Sequence, residues 1–146
     1  MERRLIIIRI WHWKLIEALP REQLVAQWRE LSAIAGNITT KGTPNHILVN
    51  KVMNYSFDHF ISYAFYVRQE VTRRGYRTMD HVWQKICSVT ESYTILPKDE
   101  LFPGWHNDRY LEQCYFNLEE KFDCGGVAPE WFQKVQNIYF GVKYHV

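Results

Sequence analysis

The sequence predicts an all-α fold, a single compact helical domain, on three observations. Apolar residues recur at helical spacing in successive segments: Leu24, Trp28, Leu31 and Ala35, then Phe57, Phe60, Ile61, Ala64, Phe65, Val67 and Val71, then Tyr110, Leu111, Cys114, Tyr115 and Leu118. These segments are bounded by residues that start and stop helices, with Pro20, Ser56, Asp80 and Asn107 or Asp108 in front and Gly36 and Gly75 behind. A chain of 146 residues that is 47% hydrophobic and 16% aromatic supplies one core and makes a second domain unexpected.

Taken in order, MERRLIII carries two arginines and then four apolar residues, a run that Arg9 interrupts well short of a signal-peptide core. Leu5–Ile10 is β-branched and apolar and in isolation reads as a short strand. His12 stands between Trp11 and Trp13, where a packed, hydrogen-bonded core histidine is expected.

Leu19–Gly36, LPREQLVAQWRELSAIAG, reads as a helix, with Pro20 in its first turn and Gly36 as the left-handed residue that ends it. At about 100° per residue, Glu30 projects roughly 120° from the apolar stripe, beside Gln23, Gln27, Ala26 and Ala33, with Arg29 on the same half. On physics alone, Arg29–Glu30 is an ordinary solvated charge pair.

A polar loop follows, and His46–Met53 reads as a short helix with Ile47, Leu48 and Val52 facing inward. The segment from Ser56 to Arg74 carries the broadest apolar set and is expected to be the central core helix. Arg73, Arg74 and Arg77 cluster at its end, where they either compensate the helix dipole or contact phosphate. Asp80–Val89 reads as a helix and Thr90–Trp105 as a long irregular loop, followed by a helix to about Phe122. Pro129 starts a last short helix with an aromatic tail, in which Trp131, Phe132, Tyr139, Phe140 and Tyr144 alternate with Lys134, Lys143 and His145.

Composition sets further bounds. A formal charge of +2 requires any nucleic-acid binding to come from a local patch. Cys87, Cys114 and Cys124 lack CxxC spacing and read as structural thiols of a reducing compartment. The six histidines are scattered without metal-ligand spacing, and no phosphate-binding glycine loop is present, so neither a metal nor a nucleotide cofactor is expected. No stretch approaches a membrane span, and the expected location is cytoplasmic.

QLVAQWRELSAIAG, a Leu-rich turn followed by Arg-Glu and then a glycine, resembles the motif helix of the pyrimidine-dimer DNA glycosylases of the endonuclease V type, first known from phage. RIWHW at Arg9–Trp13, LPREQL, HILVNKV at His46–Val52, RRGY at Arg73–Tyr76, LEEK at Leu118–Lys121 and PEWF at Pro129–Phe132 follow the family's order and spacing. The resemblance implies a helical domain over residues 9–146 crossed by an extended N-terminal segment, with residues 1–8 as an extension. It implies a monomer that acts on damaged double-stranded DNA as a glycosylase and AP lyase, with no membrane partner. The leading rival is a helical DNA- or RNA-binding protein of the same fold that has lost the lyase step, and a third reading is a structural or partner-binding domain in which these residues are only surface or core.

The resemblance also implies roles. Glu30 stabilises the cationic imine and moves the proton that permits β-elimination. Arg29 holds the bent backbone, Arg9, Gln23, Lys121 and Lys134 join it on DNA, and Trp131 and Phe132 stack on bases. The family's nucleophile is the α-amine of the first residue, whose ordinary pKa near 8 leaves a usable neutral fraction. Arg9-Ile10 matches the Arg-Ile that follows it, so the amine belongs on Ile8, and the working chain is expected to start at or near that residue. Lys14, the nearest lysine in sequence to the Arg-Glu helix, is the fallback nucleophile. Gln23 stands where the phage sequence has histidine, and Ala33 where it has a DNA-contacting arginine.

Overall fold

In the computed structural model, which describes residues 8–145, five α-helices are linked by turns and loops: α1 (Arg21–Lys41), α2 (Phe57–Arg73), α3 (Asp80–Cys87), α4 (Asp108–Asp123) and α5 (Pro129–Tyr144). Short 3-10 turns occupy Trp13–Ala18, Asn50–Asn54 and Lys98–Glu100, and no strand occurs among the described residues, so the fold is all-α. Of the strand-like run, residues 5–7 lie outside the described residues, as does the expected extension apart from Ile8.

α1 packs against both α2 and α3, while α4 pairs with α5. The turn Trp13–Ala18 touches α2 and α5 and so joins the two groups around one core. Across this core runs the extended segment Ile8–His12, with Ile8, Ile10 and Trp11 buried. Three side chains fasten its backbone. Gln27 of α1 takes the Trp11 N–H and the Arg9 carbonyl, Tyr63 of α2 donates to the Trp11 carbonyl at 2.6 Å, and Tyr110 of α4 donates to the Ile10 carbonyl at 2.6 Å. A buried segment without sheet partners has to satisfy its polar backbone through side chains, and these do so.

Four expectations need correction. α1 does not stop at Gly36 but runs to Gly42, whose φ of 74° provides the left-handed end. Gly36 lies within α1, where the exposed Lys85 side chain passes 3.1 Å from the position a Cβ would take. His46–Met53 is a turn followed by a 3-10 turn, and Ile47 and Leu48 point outward while Val49 and Val52 are buried. The aromatic tail is not a tail, since α5 continues through it to Tyr144.

The arginine cluster divides by burial. Glu70 lies 5% exposed and Arg74 6% exposed at the end of α2, their side chains 2.6 Å apart, with Arg73 on the same carboxylate. Arg74 also donates to the carbonyls of Leu19 and Glu17 and lies 4.0 Å over the Trp131 ring, so it ties α2 to the start of α1 and to α5. Burial pushes the Glu70 carboxyl up, but the hydrogen bonds and charges of Arg73 and Arg74 outweigh it and hold the group below its ordinary value. The network therefore adds stability above the unfolded carboxyl's pKa and loses it as pH falls through the lower folded value.

Glu70→Ala is expected to cost about 3–5 kcal/mol in urea unfolding, because it strands the buried Arg74 charge. Arg77→Ala, at an exposed position, should leave stability unchanged. A Glu70→Ala loss below about 1 kcal/mol would mean that the network behaves as a solvated pair.

Candidate active site

A cleft of about 770 Å³ opens along the exposed side of α1 and is closed by the N-terminal segment on one side and α4 on the other. Arg9, Arg21, Arg29 and Lys121 line it against Glu22, Glu30 and Glu120. Among the site residues expected from sequence, the cleft brings together Glu30, Arg29, Arg9, Gln23 and Lys121, which come from three elements.

Glu30 is half-buried in this cleft. Burial pushes it up to about 7, against the Arg9 backbone N–H and the nearby Lys121 and Arg29 charges, which favour the ionised form. Such a carboxyl is poised to take or give a proton near neutral pH. Arg9 and Lys121 flank the buried Trp11, with Arg9 Cζ 5.5 Å and Lys121 Nζ 5.7 Å from its ring. This fixes two cations at the cleft edge without neutralising them.

Gln27 is the residue that sequence reasoning misplaced. Expected on the exposed half, it is fully buried, and its amide uses all of its hydrogen-bonding capacity. Oε1 accepts from Trp11 N–H at 2.9 Å and from the Tyr63 hydroxyl at 2.9 Å. Nε2 donates to the Arg9 carbonyl at 2.8 Å and lies 3.5 Å from Oε2 of Glu30. One side chain thus sets the height of the N-terminal segment relative to the carboxylate. Its spacing carried the signal, since Gln27 stands three residues after Leu24 and four before Leu31 and so adjoins the apolar stripe. Gln23 also lines the cleft, and its Oε1 is buried without a protein partner.

Other expected site residues lie elsewhere. Phe132 is corrected to a core residue, 4% exposed and stacked with Phe122 at 4.3 Å and Tyr115 at 5.9 Å, which leaves no face for a base. Trp131 is half-buried, with Arg74 and Lys134 about its ring at 4.0 and 4.1 Å, and neither Trp131 nor Lys134 lines the cleft. Lys14 does not line it either, its ammonium lying 5.5 Å from the Trp13 ring. The side chain of Ile8 is buried in the core.

His12 and His106 are packed as the sequence suggested for His12. Burial holds His12 down to about 4 and His106 well below its ordinary value, so both imidazoles are neutral at pH 7. His106 accepts from Trp13 N–H at 3.2 Å, and His12 from Lys14 N–H at 3.0 Å. They orient the segment after Trp11 rather than face the cleft.

A family model described as pyrimidine dimer DNA glycosylase matches residues 8–84, more than half of the chain. The match begins at Ile8 and contains Arg9, Gln23, Gln27, Arg29 and Glu30, whereas Lys121 lies beyond it. No curated protein and no solved structure matches the chain.

Proposed function

The chain belongs to the pyrimidine dimer DNA glycosylase family, and from that premise we propose that the Glu30 cleft removes a damaged pyrimidine from duplex DNA through an imine and then cleaves the strand as an AP lyase. The observation that supports this most is the pairing of a carboxyl raised to about 7 with a backbone segment pinned beside it.

The nucleophile in this reading is the α-amine of a chain beginning at Ile8. That atom is one residue from the Arg9 N–H that faces Glu30, hence within about 4 Å of it. Its lone pair attacks C1′ as the glycosidic bond breaks, and the base leaves with the bonding electrons and takes up a proton. The C1′–O4′ bond then breaks, O4′ leaving with its electrons and taking a proton from the Glu30 carboxyl, and this opening of the sugar ring gives the cationic imine between the amine nitrogen and C1′. Glu30, ionised at that stage, faces the positive charge and accepts the proton from C2′. The electrons released form the C2′–C3′ double bond and expel the 3′ phosphate, and water then hydrolyses the imine to free the amine.

A base inside a duplex is out of reach, so the strand has to be bent and held while the nucleotide is exposed. Arg29, Arg9 and Lys121 are the cleft cations suited to the phosphates, with Gln23 as a polar contact. Arg29→Ala is expected to weaken binding to a duplex carrying one cyclobutane dimer, and to reduce the slope of log K against log salt by about one. An unchanged affinity and slope would remove Arg29 from the DNA interface. Incision of the same duplex by a form beginning at position 8, absent on undamaged DNA, tests the activity itself.

A further inference from the structure

A second cleft, about 510 Å³, lies on the other side of Arg9, between the turn that holds Ile47 and the start of α4. Arg9, Lys51 and Arg109 line it over Trp105 and Tyr110, with no carboxylate among its lining residues. At its rim stand Ile47, 88% exposed, and Leu48, 39% exposed.

This rim is built rigidly. The N–H groups of Val49 and Asn50 both donate to the His46 carbonyl, the His46 N–H donates to Oδ1 of Asn50, and Asn37 of α1 donates to the Pro44 carbonyl at 2.9 Å. Pro44, Val49 and Val52 are buried on either side, so the turn is anchored while its largest aliphatic side chains face solvent. Single exposed apolar residues need no explanation. Two of them at the tip of a braced turn, over a cleft lined by three cations, form a different arrangement.

We propose that Ile47 and Leu48 are an apolar wedge that enters the base stack of duplex DNA beside the lesion, while Lys51 and Arg109 hold the adjoining phosphates. The occupant follows from charge complementarity and from continuity, because Arg9 lines both this cleft and the one containing Glu30. Aliphatic side chains inserted at a base step unstack and kink a duplex, which is the opening that a base-removing enzyme needs. The proposal rests on the reading of the chain as a glycosylase acting on duplex DNA.

The test uses the double variant Ile47→Ser/Leu48→Ser, which leaves every charge in place. On a duplex with 2-aminopurine beside an uncleavable tetrahydrofuran abasic analogue, wild-type protein should raise the fluorescence on binding and the variant should not, with the salt slope unchanged. On cleavable abasic DNA, the variant should lose about tenfold or more in kcat/KM on a duplex and much less on a substrate already opened by a bubble. Ile47→Met, which keeps an insertable side chain, should retain most of the fluorescence rise and separate insertion from folding. A double variant with wild-type fluorescence and a wild-type ratio of duplex to bubble cleavage overturns the wedge alone. If a form beginning at position 8 with Ile47 and Leu48 intact cleaves neither substrate, the glycosylase reading is overturned and the wedge with it.

Discussion

Glu30→Gln is expected to lower kcat for strand cleavage by about 10²–10⁴-fold, while the fold and most of the DNA affinity survive. The substitution keeps the side chain's volume and removes only its ability to carry charge and accept a proton. A group raised to about 7 also gives wild-type cleavage a rising limb near neutral pH, as the base form appears, and this limb is missing from whatever activity the variant retains.

Stability moves in the opposite direction. Glu30 binds its proton more tightly in the fold than in the unfolded chain, where it titrates near 4.5, so raising the pH from 4.5 to about 7 weakens the wild-type fold. Glutamine carries no such penalty. The two proteins should be alike below that window, and the variant should be more stable by roughly 1–2 kcal/mol at pH 8, once the group's partial exposure is allowed for. Cleavage at the wild-type rate by Glu30→Gln would rule out Glu30 as the acting carboxylate.

Gln27→Leu should be the most damaging change that touches no substrate. It leaves the buried Trp11 N–H and the Arg9 carbonyl without partners, and it takes one of two acceptors from the Tyr63 hydroxyl. Each buried group left unsatisfied costs about 1–3 kcal/mol. The segment carrying Arg9 then loses its register against Glu30, and a misplacement of about 1 Å is enough for a hundredfold loss in kcat.

Gln27→Glu separates this positioning role from packing. It keeps the acceptor but adds a second carboxylate beside Glu30, which pushes Glu30 further up and moves the rising limb of the pH profile to higher pH. If Gln27→Leu cleaves at the wild-type rate, the segment is held by other contacts and Gln27 is only filling space.

The parts of the site legible in the sequence are those written as local chemistry. Arg29-Glu30 stood out through the wording of its helix, and angular position on α1 placed Arg29 in solvent, but Glu30, expected in a solvated pair, is half-buried. Helix starts at Ser56, Asn107 and Pro129 were legible because caps are local. What failed was any judgement that weighed residue type against tertiary context. Gln27 was assigned to solvent because it is polar, although its buried partners, Trp11 and Tyr63, lie 16 and 36 residues away in sequence. Ile47 and Leu48 were assigned to the core because they are apolar, although the turn after Asn45, whose φ is 61°, directs them outward. Arg74 read as compensating the helix dipole or contacting phosphate, because nothing local shows that the Leu19 and Glu17 carbonyls fold back against it.

If an amine beside Glu30 forms an imine with the damaged nucleotide, borohydride reduction traps it as a stable adduct. A form of the protein in which Met replaces Ile8 as the first residue and Arg9 follows is incubated with a duplex carrying one dimer or one abasic site, reduced, digested and mapped. A covalent adduct is expected on both duplexes, with the label on the terminal amine. No adduct on either duplex would contradict imine chemistry outright, and a label on Lys14 instead would contradict the α-amine as nucleophile.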